Sequence, residues 1–476
     1  MKIKLFYKTL MLCLCLLSCA TKAKETKATL EDNEMVDYFA DNGFGNAVAV
    51  VQHPAGIYHN GITYVCYQGP LEDPYVASYN HNTKQWKGPY KAGISEMGKD
   101  PNHKTDNHGK PSMLIDDAGY IHITFGGHGG TKKLGENPLG NHHYGKNKHV
   151  VSKKPLDISG WEELENISPF GTYNQFIKMD NGDIYLFYRH GAHRSNWVYQ
   201  KSTDNGRTFE EPVSFLKHKR RTDMAAEDSW YPWITKGDNG ELHIVFDYHL
   251  CSDTTPQTKG LGHIAKRYDI YYIVFNTKNN AWKNIKEEPL AIPVTREEAD
   301  EKALVARTPG NWTFQGVVDL DPDGNPHSGM TIGKEIEGSR RSASKNMHHF
   351  KWNGTEWTHS KNAGLPKGNG DLEAKSSQEI DFYIESRDEN DFGEVARWSS
   401  TDGGETFIKA KVLLKKSKAN FAISALIENP HPDARLIVAE HKPGTNYKNM
   451  YLLGDTGSVM RIKKEAQVLN RSNNIE

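Results

Sequence analysis

From residue 36 onward the chain repeats one pattern: a polar turn containing glycine, then a run in which apolar and polar side chains alternate with the period of a half-buried strand. Clear copies are Asn60-Gly61 before Ile62 to Tyr67, Asp117-Ala118-Gly119 before Tyr120 to Phe125, Asn181-Gly182 before Asp183 to Tyr188, and Asn239-Gly240 before Glu241 to Phe246. Weaker copies at Asp323-Gly324 to Met330, Ile380 to Ile384, and Pro432-Asp433 before Arg435 to Glu440 bring the total to seven. Each is followed by a second strand that ends in a polar turn and an aromatic residue, at Trp86, Trp161, Phe209, Trp282, Trp357 and Phe407, with a degraded version at Leu452 to Val459. Two endings, Ser202 to Phe209 and Ser400 to Phe407, are close to Asp-boxes. In such a box the aspartate and a glycine fix a hairpin, and the aromatic packs between neighbouring sheets. Seven units of roughly 60 residues each suit four-stranded antiparallel blades, so the pattern predicts an all-β, seven-bladed β-propeller over residues 36–476. The best helical periodicity, Thr295 to Val305, reads as a short insertion.

Composition agrees and narrows the function. Apolar residues make up 37% of the chain and aromatics 10%, with abundant glycine, as expected of strands and turns. A formal charge of -1 gives no whole-chain basic field, which argues against a nucleic-acid partner. Before the repeats, Lys2, Lys4 and Lys8 precede the apolar run Leu10 to Leu17, too short to span a bilayer and closing in Leu16-Leu17-Ser18-Cys19. Residues 1–19 thus read as a lipoprotein-type signal peptide with Cys19 lipidated, and residues 20–35 as a flexible tether. The expected product is an exported monomer, lipid-anchored to the bacterial membrane at the outer membrane or cell surface. Removal of Cys13 and Cys15 leaves Cys66 and Cys251 in the body, which makes a disulfide framework unexpected.

A propeller gathers loops from every blade around one axis, so residues distant in sequence can share a groove. The second unit offers Asn107 and His108 before its strand and His128 after Gly126-Gly127; the third offers Tyr173 and Arg189; the fourth offers Tyr231 and His249. Arg189 ends an otherwise apolar strand, either as a salt-bridged rim residue or as a carboxylate binder. Histidine titrates near neutral pH and suits proton transfer, whereas tyrosine needs cationic neighbours before it can act as a base.

The run Asp106-Asn107-His108-Gly109-Lys110-Pro111, the strand Tyr120 to Ile123 leading to Gly126-Gly127-His128, the Tyr173 segment, Tyr188-Arg189-His190, Trp230-Tyr231-Pro232 and Asp247-Tyr248-His249-Leu250-Cys251 together resemble the ulvan lyases of polysaccharide lyase family 25. The resemblance is strongest between about residues 45 and 270 and implies a seven-bladed propeller. It implies β-elimination at the bond between sulfated rhamnose and a uronic acid, glucuronate or iduronate. By the same resemblance His108, Tyr173, Arg189 and His128 are catalytic, while Tyr231, Asn107 and His249 meet sugar. The chemistry is coherent: neutralising the uronate carboxylate acidifies the C5 proton, a base removes it, and an acid protonates the leaving oxygen.

His249 and Cys251 share one face of a strand, and His193 and His263 can join them from nearby loops. Three imidazoles and a thiolate suit a closed, structural zinc site, and the resemblance implies zinc there. No organic cofactor is expected. Lys219-Arg220-Arg221, Arg307 and Arg340-Arg341 are candidate sulfate contacts. Two other readings fit a propeller: a sialidase-like glycoside hydrolase, against which stands the lack of an Arg-Ile-Pro opening motif, and a non-catalytic glycan-binding propeller.

Overall fold

The computed structural model describes residues 34–97, 106–253 and 265–469, apart from positions 338, 340, 341, 423 and 442–446. Among the described residues the strands group into seven four-stranded antiparallel blades. Blade 1 comprises Gly56–His59, Ile62–Gln68, Pro74–Asn80 and Gln85–Lys91; blade 2, Ser112–Ile115, Ile121–His128, Tyr144–Ser152 and Trp161–Leu164; blade 3, Thr172–Lys178, Ile184–Arg189, Trp197–Ser202 and Val213–Leu216. Blade 4 comprises Ala226–Lys236, Glu241–Ser252, Ala265–Asn276 and Ala281–Lys283; blade 5, Asn311–Leu320, Pro326–Lys334, Asn346–Trp352 and Trp357–His359; blade 6, Asn369–Ala374, Ile380–Arg387, Gly393–Ser400 and Ile408–Lys416. The alternating runs of the sequence are the second strand of each blade, and their glycine turns join it to the first.

Blade 7 closes the ring. Its strands Ala425–His431, Ala434–His441 and Tyr447–Gly454 receive a fourth from the other end of the chain, Ala40–Phe44, paired antiparallel with the third. Met35–Val36 pairs in turn with Arg461–Ile462, so the fold begins at least as early as Met35. Arg461 fastens the junction, donating to the carbonyls of Phe39 at 2.9 Å and Gly88 at 2.6 Å, and Phe39 stacks on Trp86 at 5.1 Å.

The core follows from the alternation. Inward-facing side chains of adjacent blades meet in one cluster that runs from Phe39 to Val459 and includes Trp197, Trp230, Phe246, Tyr271 and Phe382. Both Asp-boxes form as the sequence predicts. Asp204 accepts from the Thr208 amide at 2.9 Å and from its hydroxyl at 2.7 Å; Asp402 does the same with Thr406 at 3.0 and 2.6 Å. Each box lies on a buried histidine pair of the preceding blade, His122–His149 under Gly206 and His327–His349 under Gly404. Phe209 and Phe407 pack edge-on to His149 and His349. The insertion is a single turn, Arg296–Glu298, capped by the Thr295 side chain and continued by a wider turn over Ala299–Ala303. Cys66 and Cys251 are both free and buried.

Candidate active site

First strands begin and second strands end on the same face, and there the predicted residues of blades 2, 3 and 4 converge. Asp106, absent from the sequence-derived set, organises the blade 2 side. One carboxylate oxygen binds His108 Nδ1 and the His108 amide, while the other binds His128 Nδ1 at 2.6 Å and the Tyr144 hydroxyl. The two imidazoles stack with centroids 3.8 Å apart and planes 9° from parallel. Burial alone would raise the Asp106 pKa, but hydrogen bonds and charge from the two imidazoles hold its carboxyl well below the usual range. Burial pushes His108 down to about 3, helped by His128 and opposed by Asp106, so the ring is neutral at neutral pH. With Nδ1–H donated to Asp106, the lone pair of a neutral His108 lies on Nε2. Asn107 is held at the edge, where its side chain accepts from the Asn46 amide and its carbonyl from Lys110 Nζ.

Tyr173 stands 5.2 Å from His108 and takes a left-handed backbone, φ +62°, at an irregularity between Thr172 and Gln175. A non-glycine residue in that conformation costs energy, and such strain concentrates at functional sites. Glycine at position 127 permits the approach of blade 2 to this segment, since a Cβ there would fall 2.0 Å from the Gly171 carbonyl oxygen. The Tyr173 ring stacks on Trp197 and meets Tyr231 edge-on at 5.4 Å.

Arg189 is fully buried. Its guanidinium lies 4.9 Å from the Tyr173 ring centre and 5.4 Å from that of Tyr231, donates to the Tyr231 hydroxyl at 3.1 Å, and keeps Nη2 without a hydrogen-bond partner among the described residues. No ion pair involving it occurs among them, so the rim salt bridge is not what is found. A second cation that sequence reasoning missed, Arg267, lies 3.4 Å from the Tyr231 ring centre. Its blade 4 strand pairs with the one carrying His249, and nothing in its local sequence marks it out. Burial raises Tyr173 well above the ordinary phenol range, and Tyr231 adds to the rise. In Tyr231 burial also acts upward, but Arg189 and Arg267 outweigh it and lower the phenol below its ordinary value. Asp247, opposite Tyr231 in the ladder, is pushed up to about 7 by burial, against Arg267 and a 2.8 Å bond from Thr313.

His249 is buried with its ring 5.4 Å from Tyr231 and 5.3 Å from His193. His193 therefore links blades 3 and 4, and it also comes within 6.3 Å of His108 and 6.4 Å of His128. His108, His128 and His193 each bring a ring nitrogen within 4.8 Å of the others. Cys251 is 2% exposed with Arg194 against its thiol; burial raises that thiol more than Arg194 lowers it. His249 and Cys251 lie two residues apart on one strand, but among the described residues the ligand atoms that converge within 4.8 Å around His193 are those of His108 and His128, not those of His249 and Cys251. His263 lies outside the described residues, as do Cys19, Arg340 and Arg341. The other proposed sulfate contacts are committed to carboxylates: Arg220 to Asp253, Arg221 to Asp223, Arg307 to Asp269 and Asp300, and Lys219 to Glu297.

The comparisons with known proteins decide the family. Over 472 residues the chain is 61% identical to an ulvan lyase of Nonlabens ulvanivorans, covering 99% of this chain and 100% of that one. It belongs to the ulvan lyases of polysaccharide lyase family 25. A family 25 ulvan lyase of Pseudoalteromonas sp. (strain PLSV) is 54% identical over 434 residues, 90% of this chain and 88% of that one. A solved family 25 ulvan lyase, bound to -[GlcA(1-4)Rha3S]-, superposes with a TM-score of 0.87 at 52% identity, covering 93% of this chain and 100% of that chain. Residues 138–363 also match the model of a BNR repeat-containing family. Membership in the ulvan lyase family agrees with the propeller and with the convergence of the three blades.

Proposed function

We propose that this protein is an ulvan lyase that cleaves between sulfated rhamnose and a uronic acid by β-elimination, leaving an unsaturated uronate at the new non-reducing end. The observation that carries the reading is the buried guanidinium of Arg189, which has no carboxylate partner among the described residues and lies beside two proton-transfer groups. A buried cation without an anion is costly, and an arriving uronate supplies the missing charge. The field of Arg189, reinforced by Arg267, neutralises the substrate carboxylate and favours the enolate-like intermediate. His108 is neutral and Tyr173 protonated at rest, which suits the imidazole to accept the C5 proton and the phenol to protonate the leaving oxygen. An anionic sugar beside His108 raises its proton affinity at the moment it is needed. His128 is held beside it by Asp106, and Tyr231, Asn107 and His249 line the groove.

Zinc held by His193, His249, Cys251 and His263 would use every tetrahedral position and so serve to tie blade 3 to blade 4. The leader suggests an anchor: wild-type protein should partition with membranes, and Cys19→Ala should remain unlipidated. Equal solubility of the two would remove that idea.

The deciding assay incubates the mature protein with ulvan, without added metal, and follows ultraviolet absorbance together with reducing ends. Both should rise. Reducing ends without absorbance would indicate a hydrolase, and binding without cleavage a glycan-binding propeller.

A further inference from the structure

A second histidine cluster lies on the opposite face, at the seam where the ring closes. The turns joining first to second strands and third to fourth strands are on that face. There the turn after blade 1 strand Pro74–Asn80 meets the turn after blade 7 strand Ala425–His431. His81 comes from the former, His431 and Asp433 from the latter. The two rings are 3.9 Å apart, and one ligand atom from each of the three residues lies within 4.8 Å of the others. We propose that His81, His431 and Asp433 form a binding site for a divalent transition-metal ion of the zinc type.

His81 carries the argument. It is 7% exposed, and its Nδ1 has no hydrogen-bond partner among the described residues. Its other nitrogen, Nε2, lies 2.8 Å from Thr63 Oγ1. An Nε2–H donated to that hydroxyl leaves the lone pair on Nδ1, which is the outer-sphere arrangement that orients an imidazole toward a metal. An unsatisfied buried nitrogen costs free energy unless something meets it. Among the described residues His431 Nδ1 accepts from the amide of its own turn's Asp433, at 3.1 Å, a bond an ion readily replaces. The Asp433 carboxylate is 3.9 Å from that nitrogen and 3.4 Å from Lys84 Nζ. Two imidazoles and one carboxylate provide three ligands of the type zinc accepts, with water free to take a fourth position. Lys84 competes for the carboxylate and weakens the site. The bound ion would pin blade 7 to blade 1, on the side where their strands are joined by the parallel bridge of Ile57 to Glu428.

The test uses chelator-stripped whole protein and zinc alone, titrated calorimetrically. Wild type should take up one ion more than His431→Ala or Asp433→Asn, and Cys251→Ser should keep this ion. Thr63→Val should weaken it by roughly tenfold, and Lys84→Ala should tighten it. Added zinc should raise the melting temperature of Cys251→Ser but not of Cys251→Ser/His431→Ala, and His431→Ala should retain full lyase activity. Equal stoichiometry in folded wild type and His431→Ala would overturn the proposal, as would loss of all zinc binding in Cys251→Ser.

Discussion

Asp106 shows how a residue without chemistry of its own sets the chemistry of two others. It fixes the tautomer and the stacking of His108 and His128, so Asp106→Asn should lower kcat on the order of a hundredfold, with a shifted acid limb in the pH–rate profile and little change in KM. His108→Ala and Tyr173→Phe should each cost on the order of a hundredfold or more in rate with nearly unchanged melting, the scale for losing a positioned proton-transfer group. Tyr231, between Arg189 and Arg267, should ionise below the ordinary phenol value of about 10. Ultraviolet titration of phenolate should reveal that one early tyrosine in wild type and lose it in Arg267→Ala. His108, His128, Tyr173 and Arg189 could be singled out in the sequence as residues near strand ends or glycine turns in successive units, and the family resemblance joined them into one candidate set. Asp106, Tyr144 and Arg267 were not, because their importance is a matter of which side chain lies across a blade boundary, and no period in one chain reports that.

At the scale of the element, the legible part of the fold was the second strand of each blade. That strand is covered on both faces by neighbouring sheets, and its turn demands glycine, so both its pattern and its boundary are written locally. First strands, nearest the axis, were harder to see. Ala226–Lys236 contains Pro232 and two tryptophans yet runs as a regular ladder against Glu241–Ser252. The contribution of Ala40–Phe44 to blade 7 was invisible for another reason: its partner lies some four hundred residues away. The metal expectation also belongs here, because it concerns the joint between blades 3 and 4. Cys251→Ser should lower zinc content and melting temperature while folded protein keeps much of its activity, since metal held by the native state adds to folding free energy. An unchanged melting temperature with abolished activity would instead make the ion catalytic.

The whole molecule carries an unusual load of buried imidazole. Burial pushes His149 and His349 down to about 3, and His190, His243, His327 and His348 to about 4. Each must stay neutral in the folded state, so the stability it permits is intact above its unfolded value of about 6.5 and falls away as pH drops toward its folded value. Buried carboxyls act in the opposite direction. Asp319, pushed up to about 7 by burial, and Asp371, up to about 6, lose stability as pH rises from about 4 through those values. Chemical denaturation across pH should therefore show His349→Gln reducing the loss of stability on acidification below about 6.5, and Asp319→Asn reducing the loss of stability as pH rises from about 4 to about 7.

The clasp between Ala40–Phe44 and Tyr447–Gly454 has a mechanical side. Any tension applied to the amino terminus is borne first by the two-residue ladder of Met35–Val36 against Arg461–Ile462, then by the Arg461 bonds to Phe39 and Gly88, and only afterwards by the clasp strand itself. A pull on the amino terminus thus reaches the ring at the seam between blades 7 and 1 rather than at the groove, and the three blades that hold the proposed catalytic groups lie around the circle from the point of load.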